Sequence, residues 1–105
     1  MPVTAPEEPR PLLDEKRLGF AMNDWARQCG RRLVARRKVI GWNQTRVAEL
    51  VGVTTASISK FEIGIAVPRD SVRLAIACAL MCEVVDIWPP LERFFVTAVA
   101  REAAA

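Results

Sequence analysis

The chain has 105 residues, 51% of them hydrophobic, and a net charge of +3, which is one domain's worth of sequence with enough apolar content for a core free of disulfides or metal. Its three cysteines, Cys29, Cys78 and Cys82, have neither metal-ligand nor disulfide-framework spacing, so buried apolar thiols and a reduced, cytoplasmic setting are expected. The longest apolar run, Leu74 to Cys82, is too short to span a bilayer, and no basic segment followed by an apolar core opens the chain, so neither a membrane nor a secretory leader is expected.

Met1 to Pro11 holds four prolines and two adjacent glutamates and reads as a disordered arm. Leu12 to Met22 is weakly amphipathic, either a short helix or an extended lead-in, so residues 1–22 are expected to be disordered or weakly ordered. The first well-defined helix is expected from about Asp24 to Ile40, with Asn23 as N-cap and Asp24 at the positive end of the helix dipole. Trp25, Cys29, Leu33 and Ile40 line its apolar face, and Gly41 suits the left-handed position after its end. From Trp25 to Ala48 stand Arg27, Arg31, Arg32, Arg36, Arg37, Lys38 and Arg46 without one Asp or Glu. A solvated face normally mixes signs, so a block of one sign points to a polyanionic partner.

Asn43 is positioned to cap a second helix, about Gln44 to Val51, with Val47, Ala48 and Val51 facing inward. Gly52 stops it, and Thr54 caps a third helix, about Thr55 to Ile63, that points Ile58 and Phe61 to the core and ends at Gly64. The turn Gly52-Val53-Thr54 has the length and glycine of a helix-turn-helix. After the loop Ile65 to Pro68 a fourth helix, about Arg69 to Cys82, buries Val72, Ile76, Ala77 and Leu80. A short fifth helix, about Val84 to Trp88, stops at Pro89-Pro90. A sixth starts at Pro90 and places Leu91, Phe94, Phe95, Ala98 and Val99 at i, i+3, i+4, i+7 and i+8. No strand and no internal repeat are expected.

From Gly30 to about Ile87 the residues Gly30, Leu33, Arg37, Gly41-Trp42-Asn43-Gln44, Val47-Ala48, Gly52-Val53-Thr54, Ile58 to Gly64, Pro68, Ala77 and Ala79-Leu80 stand in a register that resembles the Cro/phage-repressor (Xre-type) helix-turn-helix domain. The resemblance implies an all-α, five-helix lambda-repressor-like domain over residues 23–88, here followed by an additional amphipathic helix over 89–105 that packs back or dimerises. It implies that Gln44 touches DNA backbone and orients the reading helix, that Thr54 caps that helix and meets the backbone, and that Arg69 is a loop arginine contacting phosphate. Thr55, Ala56, Ser59 and Lys60 occupy the positions that face base edges. Arg37 and Glu62 occupy positions that form an internal ion pair between the first and third helices.

The residues themselves sort the same way. With Ile58 and Phe61 inside, Thr55, Ser59 and Lys60 lie on or near the outer face of a 3.6-residue helix. Lys60 suits guanine O6 and N7, and Ala56 or the Thr55 methyl suits a thymine methyl. With Gln44, Thr54 and Arg69, whose phosphate roles the resemblance implies, Asn43, Arg46 and Ser57 complete the expected phosphate-contacting set, helped by free N–H groups at the helix N-termini. Two positions depart from the family pattern. Arg36 stands where a leucine-like core residue is usual, so it must snorkel or the helix must shift, and Arg46 replaces a glutamate, which removes a capping-box partner for Asn43. Small readers make few bidentate bonds, so part of the specificity would come from DNA shape.

The function expected from this reading is a sequence-specific double-stranded DNA-binding regulator, a bacterial or phage repressor acting as a homodimer with half-sites roughly 34 Å apart. Leu91, Phe94, Phe95, Ala98 and Val99 are the candidate interface, and the alternative is an antitoxin-type module that binds operator DNA and masks a toxin or other regulator with its terminal segments, the proline-rich arm and the Leu91/Phe94/Phe95 helix. The chain contains no histidine, no nucleophile elbow and no phosphate-cradling glycine loop, so an enzyme is not expected, nor is any cofactor or metal.

Overall fold

The longest described helix, α1 (Glu15–Ile40), packs closely against three of the five others. The computed structural model describes residues 15–104, without the side chains of residues 98, 99, 102 and 103. Among the described residues there are six helices and no strand: α1, α2 (Gln44–Val51), α3 (Thr55–Ile63), α4 (Asp70–Ala79), α5 (Val84–Ile87) and α6 (Leu91–Ala104). No helix among them is long and apolar enough to cross a membrane. The arm expected over Met1 to Pro11 lies outside the described residues.

The start of α1 differs from the sequence expectation. The helix begins at Glu15, so Asn23 lies inside it rather than at a cap, and residues 15–22 are helical rather than weakly ordered. An asparagine in a helix interior costs only about 0.7 kcal/mol relative to alanine. Leu18 and Met22 continue the spacing of Trp25 and Cys29 but stay exposed, so residues 15–22 extend a helix already nucleated downstream, where each added residue gains a backbone hydrogen bond.

Leu33, Val47, Ile58, Ile76 and Leu80 are fully buried and join α1 to α4 in one core with Trp25, Cys29, Ala48, Ile87 and Trp88. Ile40, Val51, Phe61 and Val72 pack at its margin. The expectation of three buried thiols fails for two of them. Cys29 is buried, but Cys82 is half-buried and Cys78 is exposed, because Cys78 lies on the side of α4 away from Ile76 and Leu80. Burial pushes the Cys29 thiol up to about 11.

α4 ends at Ala79 and not at Cys82, since Leu80 is its C-cap and Met81 takes a left-handed φ of 55°. Arg36 explains both this corner and its own departure from the leucine pattern. Its Nε donates to Leu80 O at 2.9 Å and its Nη2 to Met81 O at 2.8 Å, satisfying carbonyls that the helix end leaves open. α5 starts with a reciprocal capping box between Glu83 and Asp86. Trp25 Nε1 donates to Pro89 O at 2.9 Å, which pins the α5–α6 connection to α1.

α6 packs along α1, with Leu91 and Phe94 against the core. Phe95 is half-buried and meets Phe94 edge to face at 6.2 Å. The side chains of Ala98 and Val99 lie outside the described residues.

The contact that sets α3 in place is the crossing of α1 over its C-terminal end. A Cβ on Gly30 would collide with Glu62 O, and would stand 2.7 Å from Glu62 C and 2.8 Å from Phe61 O. Gly64, at φ 81°, closes the same crossing from the other helix, where a Cβ would meet the Arg27 backbone at 2.7 Å. Two glycines therefore let the backbones of α1 and α3 touch.

Candidate nucleic-acid interface

The α2–turn–α3 unit is built from its caps. Asn43 has extended backbone, and its Oδ1 accepts the Arg46 N–H at 2.8 Å, so α2 is capped without the capping-box glutamate. Gly52, at φ 81°, turns the chain, with the Gly52 and Val53 N–H groups both donating to Ala48 O. Thr54 then caps α3: its Oγ1 accepts the Ser57 N–H at 3.0 Å, and its hydroxyl donates to Ser57 Oγ at 2.9 Å. Neither α2 nor α3 carries an acidic residue in its first turn, which leaves the positive ends of both dipoles open to an anion.

On α3, Ile58 and Glu62 are buried while Thr55, Ala56 and Lys60 are exposed and Ser59 is half-exposed. All four residues assigned to base edges thus share the outward side of one short helix. Among the residues assigned to phosphate, Asn43, Arg46, Thr54 and Arg69 are exposed, and Gln44 and Ser57 are half-buried. Arg46 lies over the Trp42 ring at 5.9 Å and 3.9 Å from Glu49. Arg69 stands apart from this unit at the N-cap of α4, with no side-chain capping bond.

Behind the outward side lies a polar knot. Arg37 grips Glu62 in two-point fashion, Nε to Oε2 at 2.7 Å and Nη2 to Oε1 at 3.0 Å, and its Nη1 donates to Trp42 O at 2.9 Å. Gln44 Nε2 donates to the same Glu62 Oε1 at 2.9 Å. One carboxylate therefore ties the end of α1, the start of α2 and the end of α3 together. The Glu62 hydrogen bond holds the Arg37 guanidinium above its ordinary value, against the opposing effect of burial.

Sequence reasoning missed three parts of this arrangement. The Gln44–Glu62 bond commits one Gln44 amide hydrogen inward, and nothing in the spacing signals it. Ile63 is 59% exposed; four and eight residues after Ser59 and Thr55 it prolongs the outward stripe, which the helical period alone could have located. The capping role of Arg36 needed the position of α4. Among the described residues no cluster of His, Cys, Asp or Glu could hold a metal ion.

A helix-turn-helix family model matches residues 33–87, which is more than half of the chain and spans α2, the turn, α3, α4 and α5. No curated protein and no solved structure shows significant similarity to the chain. The matched span holds the two capped helices, the glycine turn and the outward stripe of α3. The chain belongs to the Cro/C1-type, Xre-like helix-turn-helix family and is a DNA-binding helix-turn-helix protein.

Proposed function

We propose that the protein is a sequence-specific transcriptional repressor that reads the major groove with α3. The observation that carries this reading is the outward stripe of α3, where Thr55, Ala56 and Lys60 are exposed while Ile58 and Glu62 are held from behind. Lys60 donates to guanine, and Thr55, Ala56 and Ser59 meet neighbouring base edges. Asn43, Gln44, Arg46, Thr54, Ser57 and Arg69 hold phosphates on either side of the groove. One short helix touches few bases, so two chains related by a two-fold axis bind half-sites roughly 34 Å apart and occlude a promoter.

Selection from a random duplex pool at near-physiological salt, followed by footprinting, tests the proposal. A defined two-fold site supports it, and the absence of any preferred duplex overturns it. Lys60→Ala is expected to relax preference at one base pair by about 1–3 kcal/mol. Equal losses on the selected and scrambled duplexes would remove Lys60 from the reading set. Arg69→Ala is expected to weaken all duplexes alike and reduce the salt slope by about one.

The antitoxin reading rests on the proline-rich arm and on an apolar α6 left open for a partner. Leu91 and Phe94 pack against the chain's own core, which removes the second of these grounds, while the repressor reading rests on α3 and does not need α6.

A further inference from the structure

α1 and α6 enclose a cleft of about 380 Å³, within the range of small-molecule sites. Asp24, Gln28 and Arg32 follow at four-residue steps along its α1 wall, and Arg93, Thr97 and Arg101 do the same along α6. Four-residue steps put each trio on one helical stripe. Pro89 and half-buried Phe94 add apolar surface. α1 meets α3 through Ala26, Arg27 and Gly30, which lie roughly 200° around the helix from the Asp24–Gln28–Arg32 stripe. The cleft is therefore on the side of α1 turned away from α3, and α6 lies outside the family-matched span.

Among the described lining residues the charge is unbalanced, with three guanidiniums and one carboxylate. Among the described residues none of the three has an ion-pair partner, and the Arg93 and Arg101 side chains donate no hydrogen bond to protein. Arg32 makes one long bond, Nη1 to Asp86 O at 3.5 Å. The Thr97 hydroxyl already donates to Arg93 O at 2.9 Å, so the donors left for a ligand are the arginines and the Gln28 amide. Forked guanidiniums match the two oxygens of a carboxylate or phosphate, and an aromatic face beside them accepts an apolar ring.

We infer that this cleft binds a small dianion carrying an apolar ring, an aryl phosphate or an aryl dicarboxylate. Arg93 and Arg101 hold the oxyanion with Arg32, Gln28 orients it, and Phe94 packs on the ring. Asp24 disfavours a ligand with negative charge at that end of the cleft.

The test is an NMR titration of the isotope-labelled full chain, without DNA, at ionic strength held constant with sodium chloride. Phenyl phosphate, phthalate and inorganic phosphate are added separately while backbone amides and arginine Nε–H groups are followed. Saturable shifts centred on Gln28, Arg93 and Thr97 are expected with one or both aryl dianions, which tells phosphate from carboxylate, and weaker ones with inorganic phosphate. Arg93→Gln combined with Arg101→Gln, both at exposed positions, is expected to weaken aryl binding by about tenfold or more. Phe94→Leu is expected to weaken the aryl ligands and leave inorganic phosphate unchanged. Unsaturated shifts throughout, shifts centred on Asn43, Gln44 and Lys60, or undiminished binding by the double arginine variant overturns the assignment. Because no duplex is present, such a failure leaves the repressor reading standing.

Discussion

Removing the Arg37 side of the polar knot should uncover how much of the fold depends on one carboxylate. The Glu62 side chain is 5% exposed and that of Arg37 13%, so solvent screens neither charge effectively. Arg37→Met keeps most of the side-chain volume but deprives Glu62 of two hydrogen bonds and its counter-charge, leaving the single bond from Gln44. Stranding a buried charge costs roughly 3–5 kcal/mol, and the lower end, about 3 kcal/mol, applies here because Gln44 still donates. Against a domain stability of about 5–15 kcal/mol this is a large fraction. At about 4–8 °C per kcal/mol for a small domain, Tm should fall by roughly 12–24 °C. Arg37→Met combined with Glu62→Leu removes the stranded charge and should be more stable than the single variant, which separates desolvation from lost packing. Urea unfolding monitored by far-UV circular dichroism measures both, with the midpoint moving at constant m. A cost below about 1 kcal/mol for Arg37→Met, or strictly additive effects in the double variant, would show that Glu62 is not stranded as reasoned. The pH dependence has a definite sign. A cation whose pKa is raised on folding stabilises fully below its ordinary value, and the contribution is lost only as pH rises through the raised one, so the Arg37 contribution should be flat from neutral pH to about pH 10.

Gly30→Ala raises intrinsic helix propensity by about 1 kcal/mol, yet its methyl would collide with the Glu62 carbonyl; a net loss of about 2 kcal/mol or more in urea unfolding is expected from overpacking. Met81→Gly relieves a left-handed conformation in a side chain that is 69% exposed, so a gain of about 1 kcal/mol in thermal unfolding is expected. At pH 8 a thiol reagent should modify exposed Cys78 quickly, while buried Cys29, with its thiol raised to about 11, should react only on unfolding, as peptide mass mapping would show.

The signals that could be read locally were those that act within a few residues. Asn43, Gly52, Thr54 and Gly64 satisfy or terminate helix ends through bonds three to five residues away, so α2 and α3 were legible to the residue. The alternation of Ile58 with Thr55 and Lys60 likewise fixed which side of α3 turns outward. The same local logic failed at Asn23. A cap residue there does not stop a helix that propagates upstream from the packed segment beginning at Trp25.

Sequence alone determined the helix-turn-helix, its caps and its polar outer stripe, because short-range backbone satisfaction and helical periodicity are written in neighbouring residues. Only the tertiary structure decided that Arg36 caps α4, that Gln44 joins the Arg37–Glu62 pair on the same carboxylate, and that Arg93 and Arg101 line a cleft with Arg32. Each of these joins residues far apart in the chain, and a charged side chain's partner depends on which helices pack together, a matter that no local pattern encodes.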